Sequence, residues 1–192
     1  MKYGWDKDHF IYGINDFGEK IGSYEMEEGK LFLNPQSWAI LAGIVDKETA
    51  KELMELVEKE LGCPYGYVQQ KPAYSKGTDR IGRQTYLEVG TYENGGVYNH
   101  GVAFKAVADC VMGDGNRAYD SIKRIMPTNN CNLSSGVEAY MMSNMYFGPE
   151  NKTRKGDSPQ SWITGTGGWV FRCVVENIIG VQAEYDGLAI RP

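Results

Sequence analysis

The segment Tyr92-Glu93-Asn94-Gly95-Gly96-Val97-Tyr98-Asn99-His100 sets a carboxylate, amides, paired glycines and one of the chain's two histidines side by side. A carboxylate there can hold two hydroxyls at once, and an imidazole can donate a hydrogen bond to an anion. A later segment, Ser161-Trp162-Ile163-Thr164-Gly165-Thr166-Gly167-Gly168-Trp169, leads hydroxyls and glycines into an apolar run with helical spacing. Free backbone N–H groups and the positive end of the dipole at such a helix start suit an anion. The two segments are expected to wall one pocket. The glycine cluster at 165–168 is not a nucleotide loop, because no Lys-Ser or Lys-Thr follows it and no alternating strand–helix pattern surrounds it.

Composition limits what that pocket can serve. With 192 residues, 42% hydrophobic and 23% charged, the chain reads as one globular domain or a large piece of a bigger one. A net charge of −5 argues against nucleic acid as a partner, and the basic run Lys152–Lys155 reads as a solvated loop. No apolar run reaches membrane-spanning length and the first residues lack a signal-peptide core, so no membrane partner is expected and the cytoplasm is the expected location. Cys63, Cys110, Cys131 and Cys173 form no metal-ligand spacing, so no metal site is expected. Cys110 and Cys173 fall in apolar helical runs and read as small core residues of a reducing compartment.

Six helices are predicted to position these residues. After an irregular hairpin or extended entry segment over 5–33, around Asn15-Asp16-Phe17-Gly18, Asn34 caps a short apolar helix through Ile44, with Pro35 at its first position. Asp46 caps an amphipathic helix carrying Ala50, Leu53, Met54, Val57 and Leu61, and Gly62 and Pro64 stop it. A Gly-, Pro- and Tyr-rich loop from Cys63 to Thr91 is long enough to be functional. Residues 96–112 are apolar nearly all round, as an inner helix would be, and a one-sided helix follows until Pro127. Two more helices are predicted over 136–147 and 166–179. Inner and outer helices alternating in this way predict an all-α fold, half of a double-layered helical barrel. Residues 183–192 read as a turn entering a strand that has no partner, which suggests a chain truncated at both ends.

Read in order, several segments resemble glycoside hydrolase family 94, the cellobiose and chitobiose phosphorylases. They are Glu27-Glu28-Gly29-Lys30-Leu31-Phe32-Leu33-Asn34-Pro35-Gln36-Ser37-Trp38, Glu93-Asn94-Gly95-Gly96 with His100, Ser161-Trp162-Ile163-Thr164-Gly165-Thr166, Ile179-Gly180-Val181 and Tyr185-Asp186-Gly187-Leu188. The resemblance spans nearly the whole chain. It implies that residues 1–182 are the C-terminal portion of an (α/α)6 catalytic domain of six-hairpin glycosidase type. Residues 183–192 would begin a truncated C-terminal β-domain. The implied activity is cleavage of a β-linked disaccharide such as cellobiose by inorganic phosphate, with inversion to an α-sugar 1-phosphate. Phosphate is then the co-substrate, no cofactor is needed, and members of the family often form homodimers.

Residue by residue, the resemblance gives phosphate contacts to His100, Thr164 and Gly165 and sugar contacts to Glu93, Tyr92 and Asn144. Tyr92 stands where relatives often carry Lys, and Asn144 where the chitobiose type carries Gln. On the residues alone His100 also reads as a buried helix residue, Thr164-Gly165 as a helix cap, and Glu93 as a solvated loop charge. Trp162, Trp169, Tyr98 and Tyr140 read more readily as core than as sugar platforms. No catalytic residue is assigned within the chain, because the family's general acid is an aspartate in a Trp-Asn-Asp context upstream, and no such triplet occurs here. Two other readings remain open: a non-catalytic glycan-binding lobe, and an inverting hydrolase, which would need a second carboxylate.

Overall fold

A computed structural model describes residues 3–191. Helix α1 (Leu33–Leu41) starts two residues earlier than predicted and ends before Ile44. Phe32 stands at its N-cap with no side-chain cap, so Asn34 lies inside the first turn instead of capping it. Helix α2 (Lys47–Leu61) follows local rules closely: Asp46 accepts from the Thr49 N–H at 2.8 Å, and Ala50, Leu53, Met54, Val57 and Leu61 are buried. Replacing Asp46 by alanine should cost about 1 kcal/mol of stability, because it orphans a first-turn donor. Urea denaturation checks this, and an unchanged midpoint would mean that the cap is dispensable.

Helix α3 (Asn99–Met112) is the inner element, packed against α1, α2, helix α4 (Gly115–Ile125) and helix α5 (Thr166–Arg172). It ends at Gly113 in the left-handed conformation, and Asp114 then caps α4 by accepting from the Arg117 N–H at 2.9 Å. Helix α5 has seven residues and runs on into a π-helical stretch, Cys173–Ile178. There the Cys173 sulfur lies 3.9 Å from that of Cys110 on α3. Among the described residues no helix is long and apolar enough to cross a membrane.

The all-α expectation is overturned, and with it the half-barrel of six helices. Five α-helices are joined by thirteen short strands in small antiparallel sheets, among the described residues. The predicted helix over 136–147 does not form. Its last part, Ser143–Tyr146, is instead the middle strand of a three-stranded sheet, between Val97–Tyr98 and Gln160–Ser161. All four of its residues are buried, whereas Tyr140, expected in the core, is 79% exposed. A short run buried on both faces has no period that separates strand from helix, and distant pairing decided the outcome. The other two-residue ladders mostly close local hairpins, such as Gly13–Ile14 with Lys20–Ile21, whereas Leu31–Phe32 with Gln70–Lys71 joins segments far apart in sequence. Residues 187–190 do have a partner: they pair with Val181–Glu184 in a hairpin.

Beneath the first turns of α3 lies a fully buried charge. Lys105 uses all three donors, to Asp109 Oδ2 at 2.8 Å, Ser121 Oγ at 3.0 Å and Tyr67 Oη at 3.2 Å. The Tyr67 hydroxyl donates onward to Glu58, which pairs with Arg124 at 2.8 Å. Burial pushes the Asp109 carboxyl up to about 6 and pulls the Lys105 ammonium down. Desolvation therefore outweighs the attraction within the pair. This network ties α3 to α2, α4 and the Gly66–Tyr67 strand, and so fixes the helix whose N-terminal end carries His100.

Candidate functional site

Three contacts stitch the start of α3 in place. Asn99 donates to the Ser143 carbonyl at 3.0 Å, which anchors the helix start to the middle strand. Gly101 presses so closely on α1 and the following loop that a Cβ there would lie 2.4 Å from Gln69 Nε2 and 2.8 Å from Asn34 Oδ1. Between them, the His100 ring tilts against Phe104, centroids 4.6 Å apart, with Trp169 at 6.2 Å and Trp38 completing the aromatic wall.

Below the imidazole sits Gly165. A Cβ on Gly165 would come within 2.7 Å of His100 Cε1 and 2.9 Å of Nε2, so only glycine leaves room for the ring. The two segments that the sequence nominates as walls of one pocket therefore meet, through His100 and Gly165. His100 Nε2 is buried and has no hydrogen-bond partner, a state that native proteins seldom leave unanswered. Burial pulls the His100 pKa below its ordinary value, so the ring is neutral at pH 7. Thr164 is at the same turn. Its Oγ1 accepts from the Thr166 N–H at 3.1 Å and lies 2.5 Å from Thr166 Oγ1, so it is engaged within the turn, while the N-cap of α5 is Gly165, which has no side chain to cap with.

Glu93 is exposed at the tip of a turn and makes no hydrogen bond or ion pair among the described residues. The turn is held by its neighbour Asn94, which is completely buried and fully used. Asn94 Oδ1 accepts from the Tyr74 N–H (2.7 Å) and Gln70 Nε2 (2.9 Å), while Nδ2 donates to the carbonyls of Leu87 (2.8 Å) and Tyr74 (3.0 Å). The long 63–91 loop is thus wrapped around one amide. Glu93 faces a recess of about 40 Å3 that it lines with Tyr12, Phe32, Asn34, Gln69 and Gln84. Asn34 Oδ1 is buried without a partner. Reasoning from sequence missed Asn34 and Gln69 at this place. Asn34 reads as a cap, and nothing in the spacing of Gln69 marks it.

Tyr92 and Asn144 are tied to structure. Tyr92 takes a left-handed backbone, and its hydroxyl donates to Gln160 Oε1 at 3.1 Å. Asn144 is buried, and its Nδ2 donates to the Ile163 carbonyl at 2.5 Å, which places the turn that carries Thr164. Its Oδ1 has no partner. The expectation that the aromatics are core holds for half-buried Trp169 and fails for Trp162 and Tyr140, which are 63% and 79% exposed and face each other edge-on. A wider groove of about 1010 Å3 opens between the end of α2, α4 and the π-helical stretch, lined by Ile122, Arg124, Val170, Val174 and Ile178 among others. It includes none of the six nominated residues, and its walls are largely apolar. The small recess beside Glu93 is polar, and His100 presents a buried nitrogen without a partner.

Residues 1–180 match the family model described as "Glycosyl hydrolase 94 superfamily, catalytic domain". The chain is 44% identical over 191 residues to solabiose phosphorylase of Paenibacillus borealis. It is 34% identical over 193 residues to cellobionic acid phosphorylase of Neurospora crassa and 30% over 191 residues to N,N'-diacetylchitobiose phosphorylase of Vibrio proteolyticus. Each alignment covers 98% of this chain but only 23–25% of the relative, so the chain spans about a quarter of the length of the curated relatives it matches. With the match running over nearly all its residues, this chain belongs to the glycosyl hydrolase 94 superfamily, within the catalytic domain.

Proposed function

We propose that the chain supplies the phosphate and acceptor-sugar contacts of an inverting β-glycoside phosphorylase that cleaves a β-linked disaccharide with inorganic phosphate. The observation that carries this reading is the buried, unpartnered Nε2 of His100 directly over Gly165. In the Nε2–H tautomer the neutral ring donates to a phosphate oxygen, and the bound dianion in turn favours the imidazolium. Glu93, free at its turn, accepts from acceptor hydroxyls.

In the reaction, a phosphate oxygen forms the new bond to the anomeric carbon as the bond to the leaving oxygen breaks. The leaving oxygen takes its proton from a general acid. The chain has no Trp-Asn-Asp aspartate, and the reading assigns that proton donor to a segment outside these 192 residues. The role of the residues here is to hold phosphate and acceptor in line, which is the larger part of such a reaction's entropic barrier.

Titration of the isotope-labelled chain with inorganic phosphate, followed by NMR, tests the reading. The signals of the His100 ring and the Gly165 amide should move together and saturate. The chain alone should release no sugar 1-phosphate from cellobiose. Phosphate that moves neither signal, sugar binding that ignores phosphate, or full phosphorolysis by these residues alone would each overturn it.

A further inference from the structure

The recess beside Glu93 has a chemical bias that follows from its atoms. Asn34 Oδ1 is a buried acceptor with no donor, and Glu93 offers two more acceptor oxygens with no cation paired to them. The remaining polar walls are the Gln69 and Gln84 amides and Tyr12, and no lysine or arginine lines the space. Gln69 is held in position, with Nε2 donating to the Tyr98 carbonyl at 3.3 Å. At about 40 Å3 the recess is too small for a sugar ring, but it exceeds the roughly 10–15 Å3 that one water needs. It fits one exocyclic group.

Beside the amide and phenol groups, which can both donate and accept, the unmatched groups are acceptors, Asn34 Oδ1 and the Glu93 carboxylate, and O–H donors satisfy them. A hydroxyl or hydroxymethyl group brings a donor and no charge. A carboxylate at pH 7 brings only further acceptors and sets a second negative charge beside Glu93. Through Gly101, in contact with both Asn34 and Gln69, the recess adjoins the helix turn that carries His100.

We infer that the Asn34–Gln69–Glu93 recess seats a hydroxyl-bearing group of an uncharged acceptor sugar and discriminates against acceptors that carry a carboxylate there. The inference rests on the phosphorylase reading and narrows its acceptor class. Glu93 then determines specificity by charge, and Asn34 and Gln69 position the seated group.

The test uses the whole 192-residue chain in saturating phosphate, with glucose and glucuronate as probes, followed through the side-chain amide signals of Asn34, Gln69 and Gln84. Glucose should shift all three amides, and glucuronate should bind at least about tenfold more weakly, a difference of about 1.4 kcal/mol. In Glu93→Lys, which changes an exposed turn residue, glucuronate should gain and the preference should narrow or reverse. Equal or tighter binding of glucuronate by the unaltered chain overturns the inference, as does an unchanged preference in Glu93→Lys. If phosphate moves His100 while glucose moves none of the three amides, this inference fails and the phosphate reading survives. If phosphate leaves His100 unmoved, the phosphorylase reading itself has failed.

Discussion

Replacing Lys105 by methionine should destabilise the fold by about 3–5 kcal/mol, because it leaves the Asp109 carboxylate buried without its counter-charge. The other cation acting on Asp109 is Arg117, which pairs with Asp114 and makes no hydrogen bond to Asp109 among the described residues. Asp109 Oδ1 already lacks a partner, and Ser121 and Tyr67 would each lose their contact with the ammonium. The loss has a pH signature. The folded Asp109 pKa, raised to about 6, exceeds its unfolded value near about 4, so the folded state holds the proton more tightly. Stability from that group is full below the unfolded value and is lost as pH rises through the folded one. Removing Lys105 raises the folded value further and extends the loss upward. Urea denaturation should therefore find the variant's deficit larger at pH 8 than at pH 5. A paired Lys105→Met, Asp109→Leu replacement should cost less than Lys105→Met alone. A pH-independent deficit, or one below about 1 kcal/mol, would mean that the buried pair is not what secures α3.

That network also marks the limit of what could be read along the chain. The apolar wrap of 96–112 signals an inner helix, although Val111 is exposed and Phe104, Val107 and Cys110 are only half-buried, yet Lys105 and Asp109, four residues apart, look like any surface ion pair on a helix. Helices α2 and α4 were legible because their signals are local: an aspartate cap, an apolar stripe and a stop within a few residues. Ser143–Tyr146 was not, because its strand character comes from partners at 97–98 and 160–161, and no window of neighbouring residues contains them. The same holds for the ladder of Leu31–Phe32 with Gln70–Lys71, whereas the other two-residue ladders are local hairpins. At the site, residue types pointed to an anion and to hydroxyls, and family likeness nominated His100, Thr164, Gly165 and Glu93. The closeness of His100 and Gly165, and the recess that Asn34 and Gln69 make beside Glu93, are tertiary facts. They join segments 65 residues apart in one case and 24 to 59 in the other, separations over which spacing carries no signal.

Gly165→Ala should weaken phosphate binding at least about tenfold, or about 1.4 kcal/mol, while leaving the backbone of its turn undisturbed. At φ −81° and ψ −2° alanine is as acceptable there as glycine, so the expected effect is not conformational. It comes from the imidazole. The new methyl would overlap the His100 ring, and that ring cannot retreat freely because Phe104 and Trp169 pack against it. Overpacking of this kind costs about 1–3 kcal/mol, relieved only if the ring turns and carries Nε2 away from its present direction. Gly168→Ala is the matched control: no atom lies within 4 Å of its Cβ position, and within α5 alanine should leave stability unchanged or raise it by about 0.5–1 kcal/mol. Calorimetric titration with inorganic phosphate compares the two variants, and the His100 ring signals report whether the imidazole has moved. If Gly165→Ala shifts those signals and phosphate affinity stays the same, the ring is not a phosphate ligand. If neither changes, the close approach of His100 to Gly165 is not maintained in solution, and the two polar segments do not form one pocket.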